Sequence, residues 1–516
     1  MASLASPWPR VSDVEARGHA ARTHGPSLAR TLPDLRRLLS IPGHPLQGLR
    51  ATGEDPALPR VRAMALLHRG VEAEGHGRVS NPALSSVWAM PCRLLLGIVC
   101  GCGQPHAPSA IGRSAADTGS VAADRSADID ALRDGLTKRH ADPFAHVSRS
   151  EFDAMAEELK AEAAHMDNVR YVLGLRKLAA SIGDGHTEVV LETGKGPCAT
   201  SIPVQFIGLA DGVFVTAAPT DHAQLLSARV VEVGSMSLAD ASARIRSVSA
   251  CENDADARGT VARFLKYDQL LHGLGITPAR GVVRLKVERQ SAQGETRFLE
   301  AAIDAVGPQV GVPRQFAPDP TRIALPPGRV SRPEPYWHQA LPDAQAVYCR
   351  YDRCANGPQA TVAEWSREVM REVSDHEVRK VIIDLRNNGG GDSSLLHPLI
   401  EALRAWVRSD PAARRVYALI GPGTFSSGIT NALNLRAFVA AKLVGETPGQ
   451  PIGTFGEVRS FTLPQSGLKV TYGSKVHDDP RHPIEIIPDV IAPMRSTDYF
   501  SGGDPAMDAV KADPIP

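Results

Sequence analysis

Two serines stand side by side in GPGTFSSGITNAL (421–433), where a strand-like run hands over to a helical one. A hydroxyl at a helix N-terminus sits among backbone N–H groups that no helical carbonyl accepts. Those groups favour negative charge by about 0.3–1 kcal/mol, up to about 2. One pKa unit is worth about 1.4 kcal/mol. The terminus therefore moves a serine hydroxyl by about one unit, far short of an alkoxide. A nucleophilic Ser426 or Ser427 needs a general base. The same N–H groups serve better as oxyanion donors, each typically worth about 10²–10³ in rate. RNNGGG (386–391) could bring another donor, because glycine lets backbone approach a ligand closely. The plainer reading makes both serines helix caps.

The elements around these residues read as a parallel βαβ sheet. VIIDL (381–385), RVYALIG (415–421) and AKLVGE (441–446) are short apolar strands. Between the first two, Leu395, Leu399, Leu403, Trp406 and Val407 recur at helical spacing. A second helix starts near Ser426, with Ile429, Leu433 and Phe438 inward. Strand, helix, strand, helix, strand predicts parallel pairing with right-handed crossovers. Functional groups in such sheets sit where strands end and helices begin, and RNNGGG and GTFSS occupy those junctions. There is no G-x-x-x-x-G-K-[ST] and no G-x-S-x-G, which argues against a nucleotide P-loop and an α/β-hydrolase elbow.

Upstream, Ser148 and Glu151 predict a capping box, followed by Phe152, Met155 and Leu159 on one helical face. A second helix after Asp167 carries Val169, Val172, Leu175, Leu178, Ala179 and Ile182, and stops at Gly183. Asp184-Gly185-His186-Thr187 then turns into the strand-like EVVLE. Loops held by rigid elements often carry catalytic groups, although a lone histidine there is more commonly a surface or capping residue. Order is expected from about Asp128. From Ile202 to Ala301 short strands alternate with helical stretches. This part resembles a degenerate PDZ-type module without a clear carboxylate-binding loop.

The chain has 516 residues and equal numbers of acidic and basic groups, 57 each, which removes the electrostatic footprint of a nucleic-acid binder. No run of about 18 apolar residues suggests a transmembrane helix. The seven cysteines form neither a disulfide framework nor a zinc pattern, and buried thiols are the simple reading. The front end is odd. MPCRLLLGIVCGCG, from Met90, looks like a bacterial lipoprotein signal, with Cys100 or Cys102 as the lipidated residue. It predicts translation from near Met90 and an exported, membrane-tethered protein, the tether running on after Cys102. A short buried apolar segment is the alternative.

DLRNNGGG (384–391), TFSSG (424–428), LVGE (443–446) and PDV (488–490) together resemble the C-terminal processing, or tail-specific, serine protease family. The resemblance runs from about Asp128 to Val510. It implies a core related to the Clp protease/crotonase ββα fold, with a PDZ-like insertion. It implies Ser426 as nucleophile and the Gly390 and Ser427 amides as oxyanion donors. The better-known branch takes a lysine base from Gly-Lys-Gly after LVGE. Here that run is GETPGQPIG, with Gln450 in the lysine's place and no lysine between Lys442 and Lys469. The tricorn-like branch instead uses a histidine ahead of the insertion, and His186 stands in that position. Histidine suits a base at neutral pH. A carboxylate should orient it, either Asp184 or Glu485.

These readings predict an α/β serine peptidase acting on peptide or protein substrates, with no cofactor, metal or nucleic acid. The alternatives are a non-catalytic peptide- or ligand-binding protein on the same scaffold, or an esterase or amidase. The expected organisation is 1–89 disordered or not translated, 90–127 signal and tether, and 128–200 helical. It continues with 201–305 PDZ-like and β-rich, 306–335 a Pro-rich linker, and 336–516 the catalytic core.

Overall fold

The computed structural model describes residues 115–290, 294–330 and 332–514, with side chains from 121 onward. The signal at Met90, Cys100 and Cys102 and the segment 1–89 lie outside the described residues.

Three helices lead the fold: Ala115–Arg139, Arg149–Ala163 and Asn168–Ala180. The second opens on the predicted capping box: the Ser148 hydroxyl accepts from Glu151 N–H, and Glu151 returns the bond to Ser148 N–H. The Asp167 carboxylate caps the third. The first helix begins thirteen residues ahead of Asp128, inside the stretch read as a tether. Its part from Ala115 to Ala127 is small and polar, yet holds five alanines and no proline, with Gly119 as its weakest helix former. The helix gains tertiary support at Asp128, whose buried carboxylate accepts from Gln465 and Ser466 N–H. Ile129, Leu132, Phe152, Leu175 and Leu178 pack together under Val470 and Tyr472.

The β-rich middle is one antiparallel sheet. Its main strands run in the order Gln205–Leu209, Gly212–Pro219, Arg229–Val233, Val282–Gln290 and Thr296–Asp304. Helices Leu238–Arg246, Asp254–Phe264 and Asp268–Gly273 lie between the third and fourth of these strands in sequence.

The last part carries a six-stranded sheet. Its order is Val490–Ile491, Lys442–Gly445, Arg415–Ile420, Lys380–Asp384, Ala346–Tyr351, Tyr336–Leu341. All neighbours pair in parallel except the last two. Val381, Ile383, Val416, Ala418 and Ile420 face one core with helices Val362–Asp375, His397–Ser409 and Ser427–Val439. Ile382, Tyr417, Leu419 and Val444 face a second core with helix Pro505–Ala512. Burial on both faces explains why these strands read as continuous apolar runs.

A third, three-stranded sheet was not foreseen. Glu188–Val189, directly after the DGHT turn, pairs antiparallel with Lys469–Val476, which pairs in turn with Phe455–Thr462. Glu188 lies opposite Thr471 and Val189 opposite Val470. This pairing ties the His186 turn to the sequence region that contains Ser426. Among the described residues, no helix is long and apolar enough to cross a membrane.

Candidate active site

Ser426 stands at the junction of strand Arg415–Ile420 and helix Ser427–Val439, with φ 51° and ψ −125°. Positive φ is costly for a residue with a Cβ, of order 1–3 kcal/mol. A helix-capping serine normally sits in the extended region and accepts from the first turn. Ser426 does neither: its side chain makes no cap bond and has no hydrogen-bond partner among the described residues. The simple capping reading therefore does not describe it.

Several bonds hold that strained turn. The buried Thr424 hydroxyl donates to Leu385 O at 2.8 Å and accepts from Gly421 N–H at 3.1 Å. Phe425 N–H donates to Asn388 O at 2.9 Å. Ser426 N–H donates to Gln450 Oε1 at 2.6 Å. Gln450 is only 4% exposed, and its Nε2 donates to Thr454 Oγ1 and Phe455 O. The residue found where a base lysine was looked for is thus a neutral clamp on the serine's own amide.

The glycine loop presses against this turn. Gly390 has φ 106°, and a Cβ there would lie 2.8 Å from Ser426 Cβ and 3.2 Å from Ser426 Oγ. Only glycine combines that backbone with that approach. Its N–H, expected to face an oxyanion, instead donates to Asn388 Oδ1 at 3.0 Å. The Gly390 donor is therefore occupied in this structure. Asn388 is fully buried, and its Nδ2 donates to Tyr351 O, so the side chain is fixed from both ends. Ser427 N–H has no acceptor among the described residues, and a Cβ on Gly390 would fall 3.0 Å from that nitrogen. The Ser427 hydroxyl donates to Gly391 O at 2.6 Å and pins the loop to the helix start. Behind the loop, Arg386 bridges the buried carboxylates of Asp384 and Asp504.

The other half of the site is the DGH turn. Asp184 is fully buried and accepts five hydrogen bonds. They come from His186 N–H (2.9 Å), His186 Nδ1 (3.3 Å), Thr187 Oγ1 (2.6 Å), His140 Nε2 (3.1 Å) and Gly473 N–H (3.1 Å). Burial alone would push its carboxyl up. The donors from His140, His186 and Thr187 prevail and hold it well below the usual carboxylate range. His140 Nδ1 accepts from Asp142 N–H at 3.2 Å, so its proton sits on Nε2, facing Asp184.

The same logic fixes His186. An ionised Asp184 only accepts, so Nδ1 carries the proton and Nε2 a lone pair. His186 Nε2 is buried with no partner, and its side chain is 7% exposed. The ring packs 5.1 Å from the ring of Phe425, the residue before Ser426. No hydrogen bond joins His186 to Ser426 in this structure, and such bonds commonly tighten only with substrate.

Of the two carboxylates left open by sequence, only Asp184 reaches His186. Glu485 is exposed and accepts from Asn253 Nδ2 at 3.1 Å. A carboxylate that sequence reasoning missed, Glu252, is closer. Asp184, His186 and Glu252 offer donor atoms within 4.8 Å of one another. That spacing would suit a metal, but the five hydrogen bonds on Asp184 already occupy its oxygens. His140 and Glu252 carry no local signal, since neither lies in a recognisable turn or periodic pattern. A cavity of 590 Å³, lined by Arg329, Arg350, Arg386, Gly421 and Glu446 among others, includes neither Ser426 nor His186.

No protein-family model and no curated protein matches this chain. Solved structures do. Mature CPAF is 13% identical, with 76% of this chain and 96% of that chain covered, at a TM-score of 0.52. Mature CPAF complexed with lactacystin is 14% identical, with 76% and 97% covered, at 0.53. The photosystem II D1 C-terminal processing protease is 15% identical, with 74% and 98% covered, at 0.33, too loose to bear on the site. At these identities the likeness concerns the fold: this chain has the mixed helix-and-sheet fold of CPAF-like proteases.

Proposed function

We propose that the chain is a serine peptidase in which Ser426 is the nucleophile, His186 the general base and Asp184 the group that orients it. The observation that carries this reading is the buried, unpartnered His186 Nε2, with Nδ1 held by Asp184 and the ring against Phe425. A buried ring nitrogen without a partner costs about 1–3 kcal/mol and calls for a use. Accepting a proton from Ser426 Oγ is such a use.

In this scheme Oγ bonds to the peptide carbonyl carbon as its proton passes to His186 Nε2. The oxyanion takes the Ser427 N–H. Gly390 N–H joins when it leaves Asn388 Oδ1. Collapse breaks the C–N bond, and His186 protonates the departing amine. Water then attacks the acyl ester, giving its proton to His186, which passes it to Ser426 Oγ as the C–O bond breaks. The tricorn-like assignment within the tail-specific family rests on the same histidine. From sequence alone, we further propose export and lipid anchoring at Cys102 or Cys100; a mature N-terminus upstream of Met90 by intact mass would exclude both.

Labelling with a fluorophosphonate probe tests the mechanism. Wild type should label, and Ser426→Ala and His186→Ala should not. Ser427→Ala should label more slowly, since it keeps the amide and loses only the bond to Gly391 O. Absence of labelling in folded wild type would favour a non-catalytic binding protein.

A further inference from the structure

The segment 251–258, from the β-rich middle, grips both halves of the candidate site. Glu252 Oε1 accepts Gly185 N–H at 3.0 Å, inside the DGH turn. A Cβ on Gly185 would lie 2.9 Å from Glu252 Cγ and 3.0 Å from the Phe425 ring, so turn, glutamate and serine loop meet at this point. The next residue, Asn253, donates to Pro448 O at 2.8 Å, on the loop that delivers Gln450. Arg258 pairs with Glu446 at 3.1 Å. Three anchors within 252–258 thus connect the β-rich middle to the His186 turn and to the loop that carries the clamp on Ser426.

We propose that Glu252 is a positioning residue for His186, through which the β-rich middle sets the base. It braces Gly185 N–H, and its negative charge steadies the imidazolium formed when Ser426 gives up its proton. The proposal rests on His186 acting as the base. Glu252 is faced by Asp184 and His186 from the turn and by Asp256 from the first turn of helix Asp254–Phe264, whose carboxylate accepts Glu252 N–H at 3.3 Å. Arg263 and Arg246 act on Asp256, Asp254 acts on Glu485 beyond Asn253, and His186 acts on His477, just past strand Lys469–Val476. Burial, reinforced by the Asp184 charge, pushes the Glu252 carboxyl up to about 7. Its charge therefore appears within the working range of a histidine base.

The rate of fluorophosphonate labelling, followed from pH 5.5 to 9 in the full chain, tests this. Glu252→Gln keeps an acceptor for Gly185 N–H and removes the charge. Its rate should fall about tenfold above pH 8, where wild type is ionised, and match wild type near pH 5.5, with the acid limb moved to lower pH. Glu252→Ala removes the acceptor as well and should lose rate at every pH. A Glu252→Gln profile superimposed on wild type, with wild-type labelling still dependent on His186, would overturn this proposal alone. Wild-type labelling that does not depend on His186 would overturn the base assignment and this proposal with it. Should Glu252→Ala fail to fold, the near-isosteric Gln variant decides.

Discussion

The DGH turn and the GTFSS junction hold their functional side chains by opposite means. At the turn, one carboxylate gathers five donors from four residues, among them two histidines and a glycine far along the chain. At the junction no charge is involved: a neutral amide clamps Ser426 N–H, and a glycine leaves room for the strained backbone. The turn is an electrostatic device, so damage to it should show as lost stability and altered pH dependence. The junction is a geometric device, so damage to it should show first as lost rate.

The sharpest way to break this contrast is Asp184→Ala. It strands the donors of His140, His186, Thr187 and Gly473, and removing one partner of a buried charged network costs about 3–5 kcal/mol. Urea unfolding should show that loss; a change below about 1 kcal/mol would mean the turn is held by packing instead. In wild type the depressed Asp184 carboxyl contributes stability that is complete above its unfolded value, about 3.9, and drains as pH falls below it.

Gly390→Ala should come next. It places a Cβ 2.8 Å from Ser426 Cβ at a φ that disfavours side chains. Probe labelling should fall at least 10²-fold while the unfolding free energy from urea falls by only about 1–2 kcal/mol. Gln450→Ala removes the acceptor of Ser426 N–H and should cost about 1–3 kcal/mol of stability. Labelling should slow about tenfold or more, and Gln450→Glu should not restore it, because it buries a charge among the neutral groups Ser426 N–H, Thr454 Oγ1 and Phe455 O. A stability loss with unchanged labelling would show that the clamp does not set the serine.

The smallest effect distinguishes the turn again. Glu252 titrates at about 7 in the fold against about 4.3 unfolded, so the unfolded chain releases its proton first. Its contribution to stability is therefore greatest below about pH 4.3 and is lost as pH rises to about 7. Thermal melting of Glu252→Gln should lack that decline, so its midpoint should gain on wild type between pH 5 and 7.5. Parallel curves would place Glu252 in solvent-like surroundings.

The sequence by itself determined the core strands, the helices between them and the two junctions. Their signals are local: branched apolar runs such as VIIDL, helical spacing such as Leu395–Leu399–Leu403, and the cap at Ser148 and Glu151. Ser426, His186 and the glycine loop could be singled out because turn chemistry is also written locally. What the tertiary structure alone decided is how distant turns meet. Glu188–Val189 adds to a strand some 280 residues away, and no periodicity encodes that pairing. It carries Asp184 to Gly473, while Glu485 accepts from Asn253 Nδ2 elsewhere. Side-chain direction was equally out of reach. The Gly390 N–H turns to Asn388, Gln450 clamps an amide where a base was sought, and Glu252 arrives from the bend ahead of helix Asp254–Phe264. Each outcome depends on which polar groups are buried together, and burial is fixed only when the whole chain has packed.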